Sequence, residues 1–184
     1  MTVAERLETG LEGLVLIEPQ VFGDERGFFV ETFSQEAWHE LGVDVDFVQH
    51  NHSRSSLGTL RGLHFQTSPG QAKLLRCPRG KIFDVAVDLR KGSPTYGQWE
   101  GYVLDDEKHR QLFVPVGFAH GFCVLSEVAD VTYLVSSYYD PETEAGIRWN
   151  DPEVGVEWPV SEPLLSQRDV EAPTLAEVAG DLPF

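Results

Sequence analysis

The segment LRGLHFQ at residues 60–66 places a guanidinium and an imidazole three residues apart within an apolar run. A neutral imidazole can act as a general base near pH 7, and a guanidinium can bind the oxygens of an anionic group. Strand propensity explains the apolar residues but gives no reason for Arg61 or His64. The segment therefore indicates a functional pocket. The alternative is that His64 is a half-buried structural histidine and Arg61 a cation at the rim.

Backbone geometry decides whether Arg61 and His64 reach the same pocket. In a regular strand, successive side chains alternate between the two faces, which would send these two residues to opposite sides. Gly62 lies between them, and a glycine inside a strand often marks a β-bulge. We therefore expect a bulge at Gly62 that brings both side chains to one face.

A histidine that acts as a general base needs a carboxylate to fix its tautomer, and an acid is needed as the proton donor. The sequence alone offers four carboxylates for the first role: Asp84, Asp88, Asp140 and Asp169. Tyr133 lies between β-branched neighbours, where a buried phenol keeps its proton and can donate it. The alternative for Tyr133 is a plain core aromatic residue.

The histidines also suggest a metal site. Two of them are separated by one residue, at His50 and His52, and would share one face of a strand. Four imidazoles in all would be available to a metal: His50, His52, His64 and His120. Against a metal, no carboxylate follows at a close spacing, and Arg61 and Lys73 would raise the local positive potential.

The acidic composition argues against a nucleic-acid surface. The formal net charge is −16, whereas binding to phosphate backbones needs clustered Lys and Arg. Several basic residues nevertheless adjoin apolar strand-like segments, as an inward-facing anion pocket would require: Arg26, Arg54, Arg61, Lys73 and Arg76. Solvated charges at strand ends are the alternative. The motifs G-x-G-x-x-G and G-x-x-x-x-G-K-[ST] are absent from the sequence, so side chains must hold any nucleotide.

The sequence carries no signal for membrane insertion or export. It contains no apolar run near the roughly 20 residues of a membrane span. Residues 1–6 lack the basic and then apolar profile of a signal peptide. Two cysteines, Cys77 and Cys123, have no CxxC or zinc-type spacing. We therefore expect a cytoplasmic protein with two reduced thiols and no membrane partner.

Short strand-like segments separated by turn signals run through most of the chain. Breaks such as Ser68-Pro69-Gly70 recur at the spacing expected of a sandwich or closed barrel. One helix is predicted at Gln35–Leu41, because Ser34 is a good N-cap and Gly42 a stop signal. These patterns predict an all-β jelly-roll barrel with a few short helices, in a single domain spanning residues 1–184.

Three further segments have weaker patterns. Phe22–Gly27 is bracketed by glycines and is predicted to be a turn. Lys81–Leu89 alternates as a strand does but hardly separates a polar from an apolar face, which a ligand-lined interior would explain. Residues 170–184 form a C-terminal tail in which Thr174 can cap a last helical turn.

Six motifs occur in order along the chain: FGDERGFFVE at 22–31, QHNHS at 49–53, LRGLHFQ at 60–66, PVGFAHGF at 115–122, YYDP at 138–141 and LSQRD at 165–169. One such motif would be weak, but six in order are highly specific. Together they resemble the dTDP-4-dehydrorhamnose 3,5-epimerase family, which are cupin-fold enzymes of deoxysugar biosynthesis. The resemblance runs from about Ile17 to Asp169.

The resemblance implies a reaction on a nucleotide-linked 4-keto sugar. His64 would be the base and Asp169 the carboxylate that orients it, while Tyr133 would protonate the opposite face. Lys73 would stabilise the enolate oxygen, with His120 close by. Because C3 and C5 flank the C4 carbonyl, their protons are acidic. Inversion at both would convert dTDP-4-dehydro-6-deoxy-D-glucose to dTDP-4-dehydro-L-rhamnose.

The resemblance also implies how the substrate is held. Gln49, Asn51 and Arg61 would bind the diphosphate and adjacent groups. Residues that contact the base and ribose, partly from the second subunit, would be Phe22, Arg26, Phe29, Glu31 and Tyr139. The family implies a homodimer that exchanges N-terminal strands and a reaction without metal or organic cofactor. Arg168 stands where lysine is frequent in the family, and it keeps the charge.

Three alternatives stay open on the sequence. Related enzymes of antibiotic-sugar pathways share these motifs but invert only C3 or only C5. A metal-dependent cupin would use the histidines as ligands. A non-catalytic module would bind a sugar nucleotide without exchanging its protons. We expect double epimerisation, because nothing in the motifs indicates specialisation.

Overall fold

The computed structural model describes residues 3–184, so the first two residues of the predicted domain lie outside the described part. The strands are β1 Ala4–Leu7, β2 Val15–Pro19, β3 Val21–Asp24, β4 Gly27–Val30, β5 Gln49–Ser56, β6 Leu60–Gln66, β7 Lys73–Arg79, β8 Lys81–Asp88, β9 Trp99–Asp105, β10 Gln111–Val114, β11 Phe118–Val124, β12 Val128–Val135 and β13 Glu144–Gly146. The helices are α1 Gln35–Glu40, α2 Gln167–Val170 and α3 Leu175–Val178.

Two antiparallel sheets pack against each other to form the barrel. The larger has six strands in the order β1-β2-β10-β7-β12-β5, and the smaller has five in the order β13-β6-β11-β8-β9. Strands β3 and β4 form a separate hairpin. Most neighbours within a sheet are distant in sequence, as in a jelly roll. The prediction of an all-β jelly-roll barrel with a few short helices is confirmed.

Apolar side chains from both sheets fill the space between them. The core includes Leu75 of β7, Ile82 of β8 and Leu112 of β10, each no more than 1% exposed. Burial of one such side chain stabilises the fold by about 1.5–3 kcal/mol relative to an exposed one. Phe122 and Val131 of the same core also line the main pocket, so core packing shapes the pocket wall.

Strand β8 carries apolar side chains on both faces because both faces pack against other parts of the chain. Ile82 points into the core between the sheets, whereas Val85 packs in a second cluster with Leu175 and Leu182 of the C-terminal segment. The weak separation of polar and apolar faces in Lys81–Leu89 therefore results mainly from the C-terminal segment that covers the outer face, and less from a ligand-lined interior. Thr174 caps α3 as predicted, with Glu177 completing a capping box.

Helix α1 begins at the predicted residue. The Ser34 hydroxyl accepts a hydrogen bond from the Ala37 backbone N–H at 3.4 Å, and Gly42 adopts a φ of +103° just beyond the C-cap. The helix buries Trp38 in a third cluster with Val15 and other residues on the outer face of the six-stranded sheet. Its apolar face is therefore anchored to the barrel.

Several short elements have little sequence signal. Strand β1 lies at the edge of its sheet and buries only Ala4, so its alternation is weak. Strand β13 is three residues long, and helix α2 four. The turn predicted at Phe22–Gly27 is shorter than expected. Only Glu25 and Arg26 form it, and the residues on either side belong to β3 and β4.

Both cysteines, Cys77 and Cys123, are free and buried, as predicted. Within residues 3–184, none of the helices has the length and apolar character to cross a bilayer.

Candidate active site

The bulge predicted at Gly62 is present where β6 pairs with β11. Arg61 lies opposite Phe122 and His64 opposite His120, so two residues of β6 face the single residue Gly121. Gly62 has a φ of +128°, and a Cβ atom there would lie 2.5 Å from the Gly121 Cα. Only glycine fits this close approach. As a result, Arg61 and His64 line the same pocket.

A pocket of about 770 Å³ lies between the two sheets and gathers most of the predicted site. Its walls come from β5, β7 and β12 of the larger sheet and from β6 and β11 of the smaller one. The predicted residues that line it are Gln49, Asn51, Arg61, His64, Lys73, His120, Tyr133, Tyr139 and Asp169. The site is thus assembled from strands that are distant in sequence.

His64 and Asp169 form a close pair within this pocket. The His64 Nε2 lies 2.6 Å from the Asp169 Oδ1, and the Asp169 carboxylate is only 3% exposed. Ser166, the N-cap of α2, donates its hydroxyl to the other carboxylate oxygen at 2.8 Å. Burial raises the pKa of Asp169, but the hydrogen bonds from His64 and Ser166 outweigh it and leave the pKa below its usual value. The carboxylate can therefore fix the His64 tautomer.

The other three carboxylates considered from sequence have different partners. Both oxygens of Asp84 accept from His120, at 2.9 and 3.0 Å. Asp88 is bonded to Arg90. Asp140 accepts a hydrogen bond from the backbone of Glu142 in a surface turn. Asp169 is therefore the member of the four that pairs with His64.

Lys73 enters the pocket from β7, in the sheet opposite His64. Its ammonium donates to the His64 backbone carbonyl at 3.4 Å. Burial lowers the pKa of Lys73 to about 8, partly offset by the negative charges of Glu144 and Asp84. At pH 7 this group is a cation with few solvent contacts, which can stabilise negative charge on a bound molecule.

Tyr133 lies on β12, opposite Asn51 of the edge strand β5. Its side chain is partly buried against the core, and this burial raises the pKa of the phenol, with Arg61 opposing the rise. The phenol therefore stays protonated at neutral pH. Next to it, the Gln49 amide donates to the Asn51 side chain at 2.9 Å, which orders the β5 wall of the pocket.

Arg61 is the free guanidinium of the pocket rim. Its Nε donates to the Ser55 hydroxyl at 3.0 Å, and no carboxylate within residues 3–184 forms an ion pair with it. The remaining N–H groups are available to an anion, and a guanidinium matches the geometry of phosphate oxygens.

Glu144 is a pocket residue that sequence reasoning did not identify. Its carboxylate accepts from the Tyr139 hydroxyl at 2.7 Å and from Arg168 at 2.6 Å. Burial raises the pKa of Glu144, but the bonds from Arg168 and Tyr139 dominate and lower it. Glu144 belongs to the three-residue strand β13, whose sequence gives no periodicity to detect. Only the folded chain brings it to Tyr139 and Arg168.

The four histidines proposed for a metal do not come together. His50 and His52 are exposed and alternate with Gln49 and Asn51 along β5; His52 borders the pocket, but its Nε2 lies 3.6 Å from Asp130. His64 and His120 instead pair with their own carboxylates. Within the part of the chain that the structure describes, no three His, Cys, Asp or Glu side chains are arranged to hold a metal.

Four predicted binding residues lie outside the main pocket of this chain. Phe22, Arg26 and Phe29 line a smaller cleft of about 320 Å³ on the β3–β4 hairpin, and Glu31 follows that hairpin. Both phenylalanines are about half exposed or more, at 48% and 67%. Their role in binding stays a prediction that depends on a second subunit.

Known proteins with similar sequences and structures share this architecture. A family model described as dTDP-4-dehydrorhamnose 3,5-epimerase matches residues 8–177. The dTDP-4-dehydrorhamnose 3,5-epimerase of Shigella flexneri is 52% identical over 166 residues, covering 89% of this chain and 92% of that protein. The dTDP-4-dehydrorhamnose 3-epimerase of Streptomyces niveus is 47% identical over 178 residues, covering 95% and 86% respectively.

A solved structure agrees over the whole fold. The crystal structure of dTDP-6-deoxy-D-glucose-3,5-epimerase from Legionella pneumophila, in complex with dTDP-4-keto-L-rhamnose, has a TM-score of 0.94 and 46% identity. The match covers 97% of this chain and 96% of that chain. With the family model spanning most of its length, the chain belongs to the dTDP-4-dehydrorhamnose 3,5-epimerase family.

Proposed function

We propose that this protein is an isomerase that inverts C3 and C5 of dTDP-4-dehydro-6-deoxy-D-glucose, giving dTDP-4-dehydro-L-rhamnose. The observation that supports it most is the His64–Asp169 pair, at 2.6 Å, in a pocket shared with Lys73 and Tyr133. Such a pair can remove a proton from carbon when the resulting enolate is stabilised nearby.

The two sheets present the acid and the base from opposite walls. His64 belongs to β6 of the five-stranded sheet, and Tyr133 belongs to β12 of the six-stranded sheet. In our proposal, His64 takes the proton next to the C4 carbonyl, and the electron pair moves onto the carbonyl oxygen to form an enolate beside Lys73. Tyr133 then protonates the same carbon from the other side, which inverts it.

In our proposal, residues of both sheets hold the substrate. Arg61, Gln49 and Asn51 would hold the diphosphate end, and Tyr139 would contact the nucleoside. A homodimer would complete the site, because the exposed aromatic residues of the β3–β4 hairpin need a partner surface. We also propose that the protein is cytoplasmic, that residues 1–184 form one domain, and that the reaction uses no metal or organic cofactor.

A single-centre epimerase is the second candidate, supported by the similarity to the Streptomyces niveus 3-epimerase. A coupled assay separates it from the double epimerase. The purified protein is incubated with dTDP-4-dehydro-6-deoxy-D-glucose, a chelator and a 4-keto reductase that accepts only the L-rhamnose configuration. We expect dTDP-L-rhamnose to form. A product inverted at one carbon would support the second candidate, and activity only with added metal would favour a metal-dependent cupin.

Asp169→Asn is expected to reduce kcat by about 10²–10⁴-fold, because an amide no longer selects the productive His64 tautomer. Steady-state kinetics would measure the loss. Asp151→Asn is the matched control, since Asp151 is also a buried carboxylate but bonds to the Leu175 backbone N–H outside the pocket. Equal losses in the two variants would contradict an orienting role for Asp169.

Tyr133→Phe is expected to separate proton removal from inversion. Without the phenol, His64 can still exchange the substrate proton with solvent, but reprotonation from the other face should slow by about 10²-fold or more. NMR would compare deuterium uptake with the rate of product formation. Tyr96→Phe, in the cluster on the outer face of the smaller sheet, is the control. An unchanged product rate would remove Tyr133 as the acid.

A further inference from the structure

Asp84 is a buried carboxylate that the proposed reaction does not use. It lies on β8 with 0% exposure, and both its oxygens are 2.9–3.0 Å from the His120 Nε2. A buried carboxylate is costly unless hydrogen bonds and positive charge compensate it. Burial raises the pKa of Asp84, while the hydrogen bond and charge of His120 and, at longer range, the charge of Lys73 oppose that rise.

The position of Asp84 links it to the reacting end of the pocket. Strand β11 lies between β6 and β8, so in the strand register His120 lies opposite His64 on one side and Ala86 on the other. His120 lines the pocket, whereas Asp84 sits behind it. With Nε2 committed to Asp84, the Nδ1 edge of His120 is left for a ligand.

We propose that Asp84 is a positioning residue that keeps the His120 proton on Nε2, turned away from the substrate, and supports the Lys73 cation as the enolate forms. It acts through His120 and Lys73 and does not touch the substrate. The role depends on the proposed function, because it concerns stabilisation of the enolate. It adds a second histidine–carboxylate pair, with a supporting task, to the pair that removes the proton.

The charges around Lys73 determine how loss of the Asp84 charge should change the pH dependence of kcat. Glu144 of β13 and Asp84 of β8 favour the charged ammonium, Arg168 of α2 disfavours it, and burial lowers its pKa to about 8. The other titratable groups that line the pocket are His52, Arg61, His64, His120, Tyr133, Tyr139 and Asp169. Removing the Asp84 charge should therefore lower the Lys73 pKa further and move the alkaline limb of the kcat profile to lower pH.

Asp84→Asn tests this role, because the amide keeps the size and one acceptor but loses the charge. We expect kcat to fall about 10²-fold, the alkaline limb to move acidward, and the Kd for dTDP to change less than about 3-fold. Asp88→Asn is the matched control: Asp88 lies on the same strand with 0% exposure but pairs with Arg90 outside the pocket. When kcat is calculated from the concentration of folded enzyme, its pH dependence should match that of the wild type.

Unchanged kcat and pH profile in Asp84→Asn would overturn the role, provided that the wild-type protein epimerises in the same assay. A wild type without activity would instead contradict the proposed function. If Asp84→Asn does not fold, ¹⁵N NMR of the wild-type protein decides the matter independently of turnover. A His120 proton on Nε2 is expected, and a ring protonated only on Nδ1 would overturn the proposal.

Discussion

His64→Ala is expected to abolish measurable proton exchange at both C3 and C5, a loss of about 10³-fold or more. Within residues 3–184, the side chains bonded to the Asp169 carboxylate are His64 and Ser166, and a serine hydroxyl cannot replace the imidazole as a base at neutral pH. The guanidinium of Arg61, which we propose binds the diphosphate, is untouched, so the Kd for dTDP should stay within a few-fold of the wild type. Solvent deuterium exchange and calorimetric binding of dTDP would measure the two effects.

The control for this variant is His39→Ala. His39 lies in α1 on the outside of the barrel and pairs with Asp44 at 3.0 Å. It should leave exchange unchanged. Near-normal exchange in His64→Ala would remove His64 as the base, whereas loss of both exchange and dTDP binding would point to a collapsed pocket.

Lys73→Met is expected to lower kcat by about 10²–10³-fold with a smaller effect on substrate affinity. In the proposed mechanism the ammonium stabilises negative charge that develops as the enolate forms, so its removal should raise the barrier by roughly 3–4 kcal/mol. Because the pKa of Lys73 is about 8, wild-type kcat should decline as the pH rises through about 8. Steady-state kinetics from pH 6 to 10 would measure both effects.

Lys91→Met is the control, since the Lys91 ammonium donates to the Gly180 carbonyl at an exposed site. It should keep the wild-type rate and pH profile. A Lys73→Met enzyme with normal kcat, or a wild-type rate that stays constant through pH 9, would contradict the role of Lys73.

The lowered pKa of Lys73 also affects the free energy of unfolding. The folded-state pKa of about 8 is below the unfolded value of roughly 10.4, so the unfolded state binds more protons between these values. Burying the charged lysine therefore costs stability below pH 8, and the cost is relieved as the pH rises towards 10.4. Lys73→Met should be more stable than the wild type at pH 7, on the order of 1–3 kcal/mol, and the difference should vanish above about pH 10.4.

Local sequence features predicted the parts of the site that depend on neighbouring residues. The bulge at Gly62 could be inferred because a glycine separates two polar residues that alternation would split. The N-caps Ser34 and Thr174 could be predicted because capping depends on residues one turn away. The caps involve residues within one helical turn, and the signal for the bulge came from adjacent residues, although the bulge itself forms against Gly121 of β11.

Long-range pairing could not be derived from spacing. Sequence alone did not distinguish Asp169 from Asp84 as the partner of His64, because the pair joins residues 105 positions apart. Only the family resemblance separated them. Glu144 stayed unnoticed because its three-residue strand β13 has no periodicity, and because its partner Arg168, 24 residues away, meets it only through the packing of α2.

The most direct test of the proposed double epimerisation is NMR of dTDP-4-dehydro-6-deoxy-D-glucose incubated with the protein in D₂O, with a chelator and no added metal. We predict that deuterium enters both C3 and C5 and that the product has the L-rhamnose configuration. Deuterium at one carbon alone would assign a single-centre epimerase. No deuterium at either carbon, from a protein that still binds dTDP, would contradict metal-free proton abstraction by His64 and leave a binding module or a metal-dependent cupin, which added metal would distinguish.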